Sequence, residues 1–237
     1  MPVTDDGLLR GDGIFEVVRV HDGHALELDA HLERLVRSGS RLRLPVDRGR
    51  IAADIDLMLE TIDEAECLLQ IVLTRGGNRL IIARERPPER DHVSLAVVPH
   101  CPTPILAGAK SLSYAANMLA TRLARERGFD EALFVNPEGY VLECARSAIF
   151  WVEGDTVCTP PLDAGVLASI TRQQVMSLVQ VVERSRQLND IKSVGELFLA
   201  DTPNGLTAVS RIEGVGEFEV PGPVITGLGS EFAKLIQ

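Results

Sequence analysis

The fold of this chain is decided by residues 129–152, FDEALFVNPEGYVLECARSAIFWV, in which short apolar runs alternate with turn residues. Apolar runs of this length, bounded by turns, are typical of strands. We predict strands over 131–135, 140–142 and 148–152. Asn136-Pro137-Glu138-Gly139 separates the first two strands, and Glu153-Gly154-Asp155 follows the third. Because such residues favour tight turns, the stretch predicts a domain built mostly of strands.

Helical patterns surround these strands. The residues ahead of Gly128 predict a helix over about 115–127, since glycine commonly ends a helix. Later helices are predicted over 170–184 and 224–236. Residues 101–108, CPTPILAG, contain two prolines and one glycine without any period, which is typical of a linker.

The residues ahead of this linker predict a smaller unit of strands and two helices. Apolar residues over 14–20 and 25–28 flank His21-Asp22-Gly23-His24, which predicts a β-hairpin. Asp29 is the predicted N-cap of a helix that Pro45 ends. A second helix is predicted over 48–62. Further strands are predicted over 68–74, 80–83 and 93–98.

This pattern predicts an α+β protein of two domains. We place a small α/β domain at 1–100, the linker at 101–108 and a larger, β-rich domain with surrounding helices at 109–237.

The composition excludes several classes of partner. The 237 residues carry 24 Lys+Arg against 34 Asp+Glu, a net charge of -10, which disfavours nucleic acid and anionic membrane surfaces. No apolar run approaches the roughly 20 residues of a membrane span, and the acidic N-terminus does not resemble a secretory signal. The four cysteines and five histidines lack metal-ligand spacing. These features predict a cytoplasmic protein without a metal site.

A series of short motifs, in a fixed order, goes further than composition. They are GDGIFE (11–16), HLERL (31–35), KSLSY (110–114), NMLA (117–120), FDEALF (129–134), GYVLE (139–143), SAIF (147–150), TPPL (159–162) and GVLASITR (165–172). Together they resemble the fold-type IV pyridoxal-phosphate enzymes, or class IV aminotransferases. That family includes the branched-chain and D-amino-acid aminotransferases and 4-amino-4-deoxychorismate lyase. The resemblance covers nearly the whole chain.

The resemblance implies the architecture and the assembly. It implies a fold-type IV enzyme with pyridoxal 5'-phosphate in the cleft between the two domains. It also implies a homodimer whose active site is completed by the neighbouring subunit. Family members generally have two strands ahead of the Gly-Asp-Gly motif, whereas ten residues precede Gly11 here. We therefore expect a shortened first sheet.

Two residues are implied to be catalytic. Lys110 matches the lysine that holds the cofactor aldehyde as a Schiff base and later moves a proton. Taken alone, it would be interpreted as a solvated lysine. Glu143 matches the glutamate that keeps the cofactor ring nitrogen protonated. An edge-strand glutamate facing solvent is the alternative.

The resemblance also implies the groups that bind the cofactor. A phosphate is bound by backbone N–H groups at a helix start, by hydroxyls and by a cation. The matching residues are Arg34, Ile170, Thr171 and Thr202. Leu167 is expected to pack against the cofactor ring. Ser169 replaces the family's usual glycine, and a surface arginine on a helix is the alternative for Arg34.

Substrate choice is less constrained. Arg75 and Arg79 fall where the family presents substrate-facing residues, and either could bind a carboxylate; two solvated arginines are the alternative. Phe15 and Tyr114 are further candidates for substrate contact. The Lys110-to-Tyr114 spacing resembles the D-amino-acid aminotransferase and lyase branch, whereas the residues after Phe15 resemble the aminotransferases.

We therefore predict a pyridoxal-phosphate-dependent aminotransferase that moves an amino group between a small amino acid or amine and a 2-oxo acid. The alternatives are 4-amino-4-deoxychorismate lyase, which forms 4-aminobenzoate and pyruvate, and a non-catalytic relative that binds the cofactor.

Overall fold

The computed structural model describes residues 1–235, which form two compact units. The first unit comprises Met1–Pro88 and Gly108–Tyr114, and the second comprises Glu89–Ala107 and the chain from Ala115 onward. The first unit therefore ends before the predicted boundary at residue 100. The first unit also includes the segment that carries Lys110, which the prediction placed in the second domain.

The first unit contains four strands and three helices. In chain order they are α1 Asp6–Arg10, β1 Gly13–His21, β2 His24–Ala25, α2 Leu28–Leu42, α3 Arg48–Thr61, β3 Cys67–Thr74 and β4 Arg79–Arg84. The strands form an antiparallel sheet in the order β2-β1-β3-β4. The residues ahead of the Gly-Asp-Gly motif form α1 rather than a strand.

The predicted hairpin is confirmed. His21 pairs with His24, and the two residues between them, Asp22 and Gly23, have φ values of 46° and 75°. Two positive φ values in a two-residue loop match the twist of antiparallel strands.

The predicted N-cap of α2 is wrong. Glu27 occupies the cap position with φ 52°, and Asp29 lies in the first helical turn. A carboxylate there still interacts favourably with the positive end of the helix dipole. The helix ends at Leu42, before Pro45.

The hydrophobic core of the first unit forms where α2 and α3 cover one face of the sheet. Leu35 of α2 and Ile51 and Ile55 of α3 are fully buried, together with Leu69 and Ile71 of β3. Each such side chain contributes about 1.5–3 kcal/mol of transfer free energy. The apolar residues at helical spacing in both predicted helices therefore pack against the sheet.

The second unit is built on one large sheet. Its strands are β5 His92–Pro99, β6 Glu131–Val135, β7 Val141–Cys144, β8 Ala148–Glu153, β9 Thr156–Thr159, β10 Val181–Glu183, β11 Glu196–Asp201, β12 Gly205–Ile212 and β13 Gly216–Glu217. Its helices are α4 Ala115–Glu126, α5 Ile170–Leu178, α6 Leu188–Ile191 and α7 Pro223–Lys234. Short 3-10 turns lie at Pro104–Leu106 and Leu162–Ala164.

Strand order explains why the domain boundary differs from the prediction. The sheet runs β10-β9-β8-β11-β12-β5-β6-β7, with β13 paired to β12. The strand predicted over 93–98 is β5, and it pairs in parallel with both β12 and β6. Sequence neighbours suggested that β5 belongs to the first sheet, but its partners lie far along the chain.

One predicted helix is shorter than expected. The pattern over 170–184 forms α5 only as far as Leu178, and Val181–Glu183 then pairs in parallel with β9. Two adjacent β-branched residues, Val181 and Val182, suit a strand better than a helix. The last predicted helix is confirmed as α7, although residues 236 and 237 lie outside the described residues.

The core of the second unit lines both faces of its sheet. Trp151, Phe150 and Phe198 are fully buried, and the rings of Phe150 and Phe198 stack with centroids 4.9 Å apart.

Across residues 1–235, no helix combines the length and the apolar character needed to cross a membrane.

A glycine pair in the first unit yields a matched test of packing. A Cβ on Gly39 of α2 would lie 2.8 Å from the Leu44 carbonyl oxygen, whereas one on Gly49 of α3 would meet only Asp47, at 3.8 Å. Gly39→Ala should lower the free energy of unfolding by about 1–3 kcal/mol because the chain after α2 must move. Gly49→Ala should raise it by about 0.5–1 kcal/mol, since alanine favours the helix. Urea denaturation followed by circular dichroism measures both, and equal effects would contradict this packing.

Candidate active site

The segment of Lys110 is attached to β1 by backbone hydrogen bonds. The Phe15 amide donates to the Lys110 carbonyl at 3.0 Å, and the Leu112 amide donates to the Gly13 carbonyl at 2.9 Å. An isolated bridge joins Ser111 to Ile14. These bonds hold Lys110 beside the edge of the strand that carries Phe15.

The Lys110 side chain lies among aromatic rings. Its Nζ is 4.4 Å from the centroid of the Phe15 ring, and that ring meets the Tyr114 ring edge to face at 5.2 Å. Lys110 is half-buried. The structure thus brings together Lys110 and both predicted aromatic contacts.

A buried ion pair lies in the same unit. Glu16 of β1 accepts hydrogen bonds from Arg34 Nε and Nη2, each 2.7 Å long, and its Oε2 is 2.9 Å from His31 Nδ1. None of the three side chains is more than 5% exposed. The surface alternative for Arg34 is therefore wrong.

The charges of this group are set by burial and by its hydrogen bonds. Burial acts to raise the pKa of Glu16, but the hydrogen bonds from Arg34 and His31 hold that pKa at about 2. Burial lowers the pKa of His31, and the charges of Arg34 and Lys110 add to the shift, while Glu16 opposes it. At neutral pH the histidine is therefore neutral and Glu16 is ionised.

Sequence reasoning did not assign roles to Glu16, His31 or Ser38. Ser38 Oγ accepts a hydrogen bond from the Lys110 amide at 3.1 Å. The available signal was spacing, because residues 31, 34 and 38 share one face of a helix. A charged residue inside the apolar run over 14–20 was a second signal.

The two candidate substrate arginines are both ion-paired. Arg75 binds the Asp12 carboxylate at 3.0 Å and donates to the carbonyls of Leu42 and Arg43. Arg79 binds Asp54 of α3 at 2.7 Å. Their role toward a substrate stays a prediction.

In the second unit, Glu143 and Leu167 lie together. Glu143 is half-buried on β7, at the end of the sheet, and its Oε2 accepts a hydrogen bond from the Leu167 amide at 3.1 Å. The glutamate is thus on an edge strand, yet its carboxylate is bound to the backbone. The residue expected against the cofactor ring is adjacent to the residue expected at the ring nitrogen.

The predicted phosphate turn begins α5. Ser169 is the N-cap, with φ -69° and ψ 140°, and its hydroxyl accepts a hydrogen bond from the Arg172 amide. These are ordinary extended torsions, so the position does not require glycine. Ile170 and Thr171, both buried, form the first turn, where amide groups remain available to an anion.

Thr202 lies in the loop between β11 and β12. The preceding residue, Asp201, accepts hydrogen bonds from Ser147 Oγ at 2.9 Å and from the Asn204 amide at 2.7 Å. Its carboxylate therefore accepts hydrogen bonds from its own loop and from the bend between β7 and β8.

The donor set fits pyridoxal phosphate. An amine suits the aldehyde of the cofactor, a carboxylate suits its ring nitrogen, and a serine-capped helix start suits its phosphate. The first unit carries the amine, on Lys110; the second carries the carboxylate, on Glu143, and the serine-capped helix start, at Ser169–Thr171. Lys110 is one of three lysines in the sequence, and the other two, Lys192 and Lys234, are exposed.

Comparison with known proteins gives consistent matches. A sequence model of the amino-transferase class IV family matches residues 13–212. A putative branched-chain-amino-acid aminotransferase of Methanocaldococcus jannaschii is 32% identical over 238 residues, covering 90% of this chain and 82% of that protein. A bifunctional aminodeoxychorismate lyase / D-amino acid transaminase of Mycobacterium tuberculosis is 31% identical over 208 residues, with coverages of 74% and 71%. The PLP-bound form of a hypothetical aminotransferase from Mycobacterium tuberculosis superposes with a TM-score of 0.86 at 26% identity, covering 100% of this chain and 92% of that one.

The buried ion pair generates a stability test. Glu16→Ala removes the carboxylate that Arg34 and His31 bind, so it should lower the free energy of unfolding at neutral pH by about 3–5 kcal/mol. The pKa of Glu16, about 2, lies below its ordinary value of 4.5. Its stabilisation is therefore present above about pH 4.5 and is lost as the pH falls toward 2. Urea denaturation at several pH values should show the difference between variant and wild type shrinking in acid.

Glu33→Ala is the matched control, on helix α2, which also carries His31 and Arg34. Glu33 faces Arg37 at 3.9 Å and both side chains are exposed, so little change is expected. A Glu16→Ala variant as stable as the Glu33→Ala variant would contradict the role given to the buried pair.

Proposed function

Since this chain belongs to the amino-transferase class IV family of pyridoxal-phosphate-dependent enzymes, we propose that it transfers an amino group between a small amino acid or amine and a 2-oxo acid. The observation that carries the proposal is the position of Lys110. It is the one lysine of the three that is not exposed, and its Nζ lies against the Phe15 ring.

Lys110 has two tasks in this reaction. Its amine would hold the cofactor by the aldehyde carbon, and the free amine Nζ would accept the proton from the substrate α-carbon and become an ammonium group. Its backbone is fixed by β1 and by Ser38, which limits where Nζ can reach. When bound, the cofactor supplies an electron-withdrawing ring that stabilises negative charge at the substrate carbon.

Glu143 would keep the ring nitrogen protonated. The Leu167 amide binds one of its oxygens and so restricts the rotation of the carboxylate. An ionised carboxylate beside the ring nitrogen favours the protonated ring, which makes it the better electron acceptor.

The phosphate would be held by Ile170, Thr171 and Thr202, with Arg34 as the cation. Glu16 fixes the plane of the Arg34 guanidinium through two parallel hydrogen bonds. Arg34 is thus a rigid donor rather than a mobile surface group. Phe15, Tyr114, Arg75 and Arg79 are the proposed substrate contacts, and we propose a cytoplasmic homodimer.

A second candidate is supported by one comparison. The bifunctional relative from Mycobacterium tuberculosis is named as both an aminodeoxychorismate lyase and a D-amino acid transaminase. The two reactions use the same lysine chemistry and differ in the fragment that leaves. Release of pyruvate from 4-amino-4-deoxychorismate, without an amino acceptor, would select the lyase.

Replacing the lysine tests the proposal. Lys110→Ala should lose the visible absorption of the lysine-bound cofactor and should lower turnover by roughly a hundred-fold to ten-thousand-fold or more. Lys192→Ala, at an exposed position of the second unit, should retain both. Absorption spectra and single-turnover kinetics measure the outcome; full activity of Lys110→Ala would overturn the assignment.

The donor class follows from a spectral titration of the wild-type enzyme. L-amino acids, D-amino acids and amines are added separately without any acceptor. An aminotransferase should lose its visible absorption with its own donor class and regain it with a 2-oxo acid. A spectrum that no donor changes would contradict the transfer reaction and favour the lyase.

A further inference from the structure

A small group of hydrogen-bonded polar residues lies next to the loop that carries Thr202. Strand β11 ends at Asp201 and β12 begins at Gly205, and these two residues face each other across the hairpin. Asp201 Oδ1 accepts hydrogen bonds from the Asn204 amide at 2.7 Å and from Asn204 Nδ2 at 3.1 Å. The Asp201 carboxylate thus joins the residue before the 202–204 loop to the last residue of that loop, and Thr202 lies between them.

Ser147 connects this carboxylate to a second one. The Ser147 side chain is 3% exposed, and its Oγ lies 2.9 Å from Asp201 Oδ2. The same Oγ lies 3.3 and 3.4 Å from the two oxygens of Glu131, which is 6% exposed. A serine hydroxyl has one hydrogen, so it can donate to only one of the two carboxylates at a time.

A proton on Glu131 supplies the second hydrogen, while Glu131 Oε1 also accepts a hydrogen bond from the Arg146 amide at 3.0 Å. A protonated Glu131 donates to Ser147 Oγ, and Ser147 then donates to Asp201 Oδ2. With both carboxyls ionised, one buried oxygen would face the serine oxygen without a hydrogen between them, and two negative charges would repel each other.

We propose that Ser147 and Asp201 are positioning residues for the cofactor-binding Thr202 loop, and that a proton on Glu131 keeps them in place. This inference rests on the proposed function, because it takes Thr202 as a phosphate ligand. The group touches the loop rather than the reacting atoms, so its effect is on cofactor binding.

The electrostatics of the group agree with this arrangement. Burial raises the pKa of Glu131 to about 7; the charge of Arg146 opposes the shift and that of Asp201 adds to it. Burial also raises the pKa of Asp201, while its bonds to Asn204 and Ser147 and the charge of Arg146 act the other way. The other titratable groups here are Glu143 and the buried thiol of Cys144, whose pKa burial and the nearby carboxylates raise.

Loss of this proton places a second negative charge near the phosphate loop. Affinity for a phosphorylated cofactor should therefore fall as the pH rises through neutrality. Glu131→Gln stays neutral and keeps an N–H that can donate to Ser147, so it should bind the cofactor with a flatter pH dependence. Ser147→Ala should bind it roughly ten-fold more weakly at every pH, and Ser147→Thr, which retains the hydroxyl, should restore binding.

The test measures dissociation constants of the apoenzyme for pyridoxal phosphate and for pyridoxal, by absorption titration between about pH 6 and pH 9. The effects should appear with pyridoxal phosphate and be absent with pyridoxal, which lacks the phosphate. Glu138→Gln, at an exposed turn of the same unit, is the matched control and should follow the wild type.

The outcomes separate the two proposals. A wild-type protein that binds neither compound would remove the proposed function itself. A wild type that binds pyridoxal phosphate while Glu131→Gln keeps its full pH slope, or Ser147→Ala keeps its affinity, would overturn the positioning role alone.

Discussion

The backbone hydrogen bonds between residues 110–112 and β1 are the constraint on which the proposed chemistry depends. They return a short segment of chain to the first unit, although the residues on either side belong to the second. Lys110 is thereby held beside Phe15 and near a buried ion pair, instead of lying in an exposed linker. A reactive lysine needs such fixed surroundings, because a mobile amine would not stay aligned with the substrate carbon.

Each unit buries a glutamate that takes part in hydrogen bonds, Glu16 in the first and Glu131 in the second. In the first unit, Glu16 is matched by Arg34 and His31, which holds its carboxylate in the charged form. In the second unit, Glu131 is buried, and the charge of Arg146 and the hydrogen bonds from Arg146 and Ser147 offset only part of the effect of burial. The pKa of Glu131 is therefore raised to about 7. The same residue type therefore serves as a fixed anion in one place and as a hydrogen donor in the other.

Most helices and strands could be predicted because the residues that indicate them lie within the element or next to it. The Asp22-Gly23 hairpin, the helix ending before Gly128 and the strand at 131–135 each depend on neighbouring residues, and the structure has them. The failures involve distant partners. The prediction placed strand β5 in the first domain, but β5 pairs with β12 and β6 of the second unit. The predicted helix included Val181, but this residue forms a strand that pairs in parallel with β9.

The candidate site shows the same division. Motif order selected Lys110, Glu143 and the Ser169–Thr171 turn as site residues, and their roles stay predictions. The sequence pattern alone could not show that Arg34 donates two hydrogen bonds to Glu16. Nor could it show that Ser147 lies within hydrogen-bond distance of both Glu131 and Asp201. Both sets of contacts link segments that are far apart in sequence. Nor could the pattern show that Ser169 fits where a glycine is usual, because that depends on torsions observed only in the fold.

The most direct test of the central claim is to locate the cofactor on the chain. The wild-type enzyme is loaded with pyridoxal phosphate, reduced with borohydride to fix the cofactor to its lysine, digested and mapped by mass spectrometry. Because the sequence contains three lysines, the result is unambiguous. The account predicts the label on Lys110; a label on Lys192 or Lys234, or no label, would contradict it.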